Sequence, residues 1–133
     1  MTEPTTLPGF DDLIGLKIVS STKDSTVAQL EVTADHHQPF GLLHGGVLCT
    51  IVETVGSISG SVWYGWAVVG TSNHTNFLHA VRGGTLTATS TPVHRGRTQQ
   101  LWEVAITDEQ DRLVAKGQLR LANLDAGAEL AKG

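Results

Sequence analysis

Residues 44–64 read HGGVLCTIVETVGSISGSVWY. At roughly 100° per residue, one wide arc of a helical wheel collects Val47, Leu48, Cys49, Ile51, Val52, Val55, Ile58, Val62 and Trp63. The remaining arc holds Gly46, Thr50, Glu53, Thr54, Ser57, Gly60 and Ser61. An ordinary surface helix fills its polar face with Lys, Glu and Arg. This one has small residues and a single carboxylate. The spacing predicts a long helix over 45–64, covered nearly all round, with its second face in an interface or a site.

Around that helix the pattern changes to period 2. Residues 26–34 alternate Ala28, Leu30, Val32 and Ala34 with Val27, Gln29, Glu31 and Thr33. Residues 112–122 place Leu113, Ala115, Gly117, Leu119 and Leu121 on one side. Further strands are expected at 16–22, 67–80, 84–94 and 98–107, with a short helix at Phe10–Ile14 and a loop over Asp35–Leu43. Turns fall at Arg82-Gly83-Gly84, Arg95-Gly96-Arg97 and Asp108–Asp111. Two strands, one long helix and four more strands make an α+β protein, a mainly antiparallel sheet of five to six strands packed on one helix. One domain is expected over 10–124, with a loose arm at 1–9 and a frayed tail at 125–133.

Composition narrows the function. The chain has 133 residues, 15 of them glycine, with 40% hydrophobic residues and a net charge of −4. Only 17% are charged, against roughly 25% in typical soluble domains. A lone Cys49 excludes an internal disulfide framework and a multi-cysteine zinc site. Net acidity argues against general nucleic-acid binding. No apolar run reaches about 18 residues, so no membrane partner is expected. The start, MTEPTTLPGFDDL, lacks the basic region of a secretory signal, and a cytoplasmic protein is the expectation. All five arginines, Arg82, Arg95, Arg97, Arg112 and Arg120, fall in the second half, a distribution suited to a local phosphate site.

Glu53 is the one charge on the helix. A buried carboxylate is costly unless paired or functional; an ion pair or a place at the rim of the polar face would also account for it. His44-Gly45-Gly46 leads into the helix, where two glycines cost roughly 1 kcal/mol each relative to alanine. They fit a backbone that approaches a ligand closely, because a helix N-terminus offers free N–H donors to a carbonyl or an oxyanion. A plain glycine-rich turn fits the same residues.

Gln38-Pro39-Phe40-Gly41, His44-Gly45-Gly46, and Glu53 with Ser57 resemble the hotdog-fold acyl-CoA thioesterases, in particular the PaaI-like and 4-hydroxybenzoyl-CoA thioesterase group that uses a glutamate. Asn73–Leu78, Arg82-Gly83-Gly84 and Val93–Arg97 fit the same group. The resemblance implies a curved sheet wrapped around the helix, and a homodimer or a tetramer of paired dimers with its site at the subunit interface. It implies that Glu53 attacks an acyl-CoA thioester or activates water, that the Gly45 N–H and Gln38 hold the carbonyl, and that His44 positions the loop or touches the thioester. Ser57 would orient Glu53 or the water. His79 and Gly46 would contact substrate, and Arg82, Arg95 and Arg97 the CoA phosphates. His79 stands in Leu78-His79-Ala80, where many relatives carry arginine and proline. No cofactor or metal is implied, and the expected acyl group is aromatic or medium-length. Two other readings are an acyl-thioester hydratase or dehydratase, whose relatives usually lack HGG before the helix, and a non-catalytic acyl-CoA-binding regulator, which the combination of Glu53, Gln38 and Ser57 argues against.

Other signals are weaker. Gly56-Ser57-Ile58-Ser59-Gly60 has Ile58 where a nucleophile elbow needs serine. His36, His37 and His44 lack metal-ligand spacing. Cys49 reads as a small core residue, and Trp63, Trp66 and Trp102 as core or interface.

Overall fold

The structure is a computed structural model that describes residues 3–125. The chain runs β1 (Thr5–Thr6), α1 (Phe10–Ile14), β2 (Lys17–Ser21), β3 (Thr26–Glu31), α2 (Gly45–Tyr64), β4 (Val68–Phe77), β5 (Thr85–Arg95), β6 (Gln99–Thr107) and β7 (Leu113–Asn123). All strands pair antiparallel in one seven-stranded sheet, in the order β1-β2-β3-β5-β6-β7-β4. This is the hotdog fold, one long helix on one sheet. The seventh strand lies in the expected loose arm, where Thr5 pairs with Ile18 and Thr6 with Lys17. Except for Asp125, the tail expected at 125–133 lies outside the described residues.

Helix α2 meets the sheet through Leu48, Ile51, Val52, Val55, Gly56, Ser59 and Gly60, all buried. This face is turned from the one the wheel predicts: Gly60 is inside, whereas Val62 is 46% exposed. The sheet decides the outcome. A methyl on Gly56 would lie 2.6 Å from Leu119 Cδ2, one on Gly60 would collide with Leu121, and Gly117 of β7 gives the same room to Val52. Helix and strand approach closely because glycines face side chains across the layer. Among the described residues α2 is the one helix with the length and mean hydropathy, 1.3, to cross a membrane; its packing on the sheet explains that apolarity.

The buried polar groups are paired. Ser59 Oγ donates to Thr26 Oγ1 at 2.8 Å and lies 2.6 Å from Ser90 Oγ, which ties α2 to β3 and β5. Gln100 accepts from Trp102 Nε1–H and donates to Gly60 O and Asn123 Oδ1. The strand expected at 26–34 stops at Glu31. The Thr33 side chain accepts from the His36 N–H while His36 Nδ1 accepts from the Thr33 N–H at 3.0 Å, a reciprocal cap that closes a 3-10 turn over Ala34–His36.

Candidate active site

The first turn of α2 is built from its own loop. His44 is the N-cap, and its Nδ1 accepts the Gly46 N–H at 2.8 Å. That bond leaves Nε2 to carry the proton of the neutral ring, an outward donor. A side chain at Gly46 would sit 2.8 Å from the same Nδ1, so glycine there allows the cap. Gly45 is the first helical residue, and its N–H is one of the donors that an α-helix leaves without an intrahelical partner. The Phe77 ring lies over it, and a methyl on Gly45 would come within 2.6 Å of Phe77 Cε2.

Gln38 stands beside this turn. Its Oε1 accepts the N–H groups of Phe40 (2.5 Å) and Leu42 (3.3 Å). The oxygen is thereby fixed on the turn, and among the described residues the NH₂ has no hydrogen-bond partner. Gln38, Gly45, Phe77 and His79 share a cavity of about 350 Å³. Two donors and an apolar wall thus converge at one end of α2, and they suit a carbonyl oxygen.

Glu53 lies two turns along. Its Oε1 accepts from Asn73 Nδ2 at 3.3 Å, and its carboxylate rests against Gly70, where a Cβ would collide with Oε2. Asn73 also donates to the Cys49 carbonyl at 2.9 Å and accepts from Thr75 Oγ1 at 2.7 Å. Its orientation is therefore over-determined. Among the described residues Glu53 belongs to no ion pair. It opens on a cavity of about 410 Å³ with Phe10, Cys49, Thr50 and Asn73.

The structure distributes the expected residues unevenly. Gln38, Gly45 and His79 come together; His44 and Gly46 line a separate cavity of about 420 Å³, which shares Phe10 and Thr50 with the Glu53 cavity; Glu53 shares no cavity with Gln38, Gly45 and His79. Among the described residues no hydrogen bond joins Ser57 to Glu53; Asn73 supplies the contact instead. Sequence reasoning assigned no role to Asn73. Its signal was an amide on a strand, Asn73-His74-Thr75-Asn76, where strands usually carry branched or aromatic residues.

The arginines separate too. Arg82 precedes β5 and Arg95 ends it, so the 11-residue strand, roughly 3.3 Å per residue, runs between them. Arg95 is committed: its guanidinium donates to Asp24 Oδ1 (2.8 Å) and the Lys23 carbonyl (3.1 Å) and lies 5.7 and 5.8 Å from the ring centroids of Trp63 and Trp102. The Arg95 hydrogen bond holds the Asp24 carboxyl below its usual range. Arg82 and Arg97 are exposed.

Comparison with known proteins agrees with this geometry. Residues 40–115 match the Thioesterase superfamily. The chain is 40% identical over 116 residues to the 1,4-dihydroxy-2-naphthoyl-CoA hydrolase of Listeria monocytogenes, covering 86% of this chain and 94% of that one. The crystal structure of S. sahachiroi AziG superposes with a TM-score of 0.87 at 46% identity, over 89% and 98% of the two chains. The E. coli PaaI protein from the phenylacetic acid degradation operon superposes with a TM-score of 0.79 at 25% identity, over 85% and 82%. With the family matched over more than half of the chain and a thioester hydrolase 40% identical over most of it, the chain belongs to the thioesterase superfamily and is a thioester hydrolase.

Proposed function

We infer that the protein hydrolyses an acyl-CoA thioester, aromatic or medium-length in its acyl group, at a site that two copies build together. One observation carries this reading. Gly45 and Glu53 lie on the same helix, eight residues and about 12 Å apart along its axis, and open on different cavities. A reacting carbonyl needs its oxygen about 3 Å from the donors and its carbon about 3 Å from the attacking group. One chain does not bring both within that reach. A second copy laid antiparallel along α2 brings its Gly45 end to the Glu53 of the first.

In the composite site the Gly45 N–H and the Gln38 amide of one copy polarise the thioester carbonyl, with the helix dipole behind them. Glu53 of the other copy delivers the attack. Its carboxylate either adds to the carbonyl carbon, expelling CoA thiolate to leave an acyl–Glu53 anhydride that water then cleaves to the free acid, or takes the proton of a water that attacks the carbonyl and expels the thiolate directly. The outward Nε2–H of His44 is a third donor, Gly46 and His79 line the substrate path, and Ser57 faces the attacking group from the next turn. Arg82 and Arg97 are the arginines left for the CoA phosphates. The name of the Listeria monocytogenes relative supports a bicyclic aromatic acyl group within this class. One cysteine, and a helix whose apolarity the core explains, support a cytoplasmic location.

The test is release of free CoA from benzoyl-, hydroxynaphthoyl-, short-chain and long-chain acyl-CoA. Glu53→Ala is expected to lose at least about 100-fold in kcat, the scale of a catalytic acid–base or nucleophilic group. Full activity in that variant removes Glu53 from the reaction.

A further inference from the structure

Helix α1 is an unusual element beside the proposed site. It has five residues, none of them fully buried, and a positive-φ glycine at each end, Gly9 at 89° and Gly15 at 80°. It leaves Phe10 60% and Leu13 79% exposed. Two contacts hold it down. Thr54 Oγ1 of α2 donates to Asp11 Oδ1 at 2.6 Å. The Ile14 carbonyl meets His36 Nε2 at 2.7 Å, and because Nδ1 of that ring accepts the Thr33 N–H, Nε2 is the donor.

The helix they hold places Phe10 between two cavities. Phe10 and Thr50 line both the cavity of His44 and Gly46 and the cavity of Glu53. Among the residues that line the Glu53 cavity, Phe10 is the one large apolar side chain. A thioester carbonyl carbon within reach of Glu53 carries its acyl substituent only a bond away, so that substituent must lie against the walls of this cavity. A flat ring there favours a flat partner, because stacked or edge-to-face aromatic pairs gain beyond simple burial.

Resting on the thioesterase reading above, we propose that Phe10 is the acyl-selecting residue of this enzyme: its ring, held by the Asp11–Thr54 latch, forms the wall against which a planar aromatic acyl group lies. Thr54 acts through Phe10 as a positioning residue. The rim position of α1 leaves this phenylalanine exposed beside the Glu53 carboxylate.

The test compares benzoyl-CoA with hexanoyl-CoA as substrates of the full-length protein. Phe10→Ala is expected to lower kcat/KM for benzoyl-CoA about tenfold, through KM, and to change hexanoyl-CoA less than about threefold. Phe10→Tyr, which keeps the ring, is expected to restore the aromatic preference. Thr54→Val, which removes the latch without touching the ring, is expected to shift the preference in the same direction as Phe10→Ala. Equal losses on both substrates, or a change of oligomeric state in Phe10→Ala, overturn the proposal and make Phe10 a structural or interface residue. Absence of CoA release by the unaltered protein from every thioester of the panel above overturns the thioesterase reading itself, and the role of Phe10 with it.

Discussion

Two single residues show how the structure separates positioning from binding. Gly70 sits where any side chain would displace the Glu53 carboxylate. The colliding atom ends a flexible side chain, so Gly70→Ala should fold normally yet swing the carboxylate off its Asn73 bond. A misplacement of about 1 Å can cost on the order of 100-fold; a kcat loss between about 10- and 100-fold with KM nearly unchanged is the expected result, and an unchanged kcat would free Gly70 of this role. Arg95 makes the opposite case. It stacks on two tryptophans and pairs with Asp24, so Arg95→Ala should lower the unfolding free energy by about 1–2 kcal/mol and leave KM for acyl-CoA unmoved, as thermal melts and steady-state kinetics would report. The same pair predicts a pH effect. The Asp24 carboxyl is held below 3.8 by its Arg95 hydrogen bond, so its contribution is present above the unfolded value and is lost as pH falls through the folded one. The Tm difference between the native protein and Asp24→Asn should therefore close below about pH 4.

At the scale of elements, α2 was legible in the sequence from Gly45 to Tyr64, because its apolar period and glycine entry are local properties. Its orientation was not. The wheel assigns Gly60 to the polar face because glycine has no hydropathy to speak of, yet the sheet needs it as the place where Leu121 and Gln100 approach. Packing against a partner 40 to 60 residues away in sequence outweighs the helix's own pattern. Gly60→Val accordingly should destabilise by about 1–3 kcal/mol in urea unfolding, despite valine's better helix propensity. Strand ends failed for a related reason: alternation through Ala34 looks continuous, but the Thr33–His36 cap competes for the same backbone. Of the candidate site, Glu53 and Gly45 were legible because an acid and a glycine pair have a local signature, and Gln38 through the family resemblance alone. Asn73 and Phe10 were not, since each acquires its meaning from a strand or helix brought alongside α2 by the fold. The arginines, clustered in sequence, are spread by the extended β5 that runs between Arg82 and Arg95.

The whole molecule carries little charge for its size, and the structure gives that shortage a place. The outward face of α2 has Thr50, Thr54, Ser57 and Ser61 around Glu53, and β4 is a ten-residue edge strand with one free side. Exposed edges of that length are normally blunted by lysine, proline or a bulge. Here a bulge lies between Gly70 and Ser72, and no charged residue interrupts Val68–Phe77. Both surfaces suit a second copy, which the composite site proposed above requires. The decisive prediction uses Gly45→Pro. Proline is tolerated at the first helical position, and His44, at φ −66° and ψ 131°, already has the conformation that precedes it; the substitution deletes the backbone N–H proposed above as a donor to the carbonyl. Gly45→Ala, with the same crowding against Phe77 but the N–H intact, is its control. Alone, Gly45→Pro and Glu53→Ala should each fall by about 100-fold. Co-expressed in equal amounts, half of the random dimers carry one of each chain, and every such dimer has one doubly damaged and one intact site. Specific activity should then recover to about a quarter of the native value. If each chain held both groups of its own site, every site would keep one lesion and mixing would restore nothing.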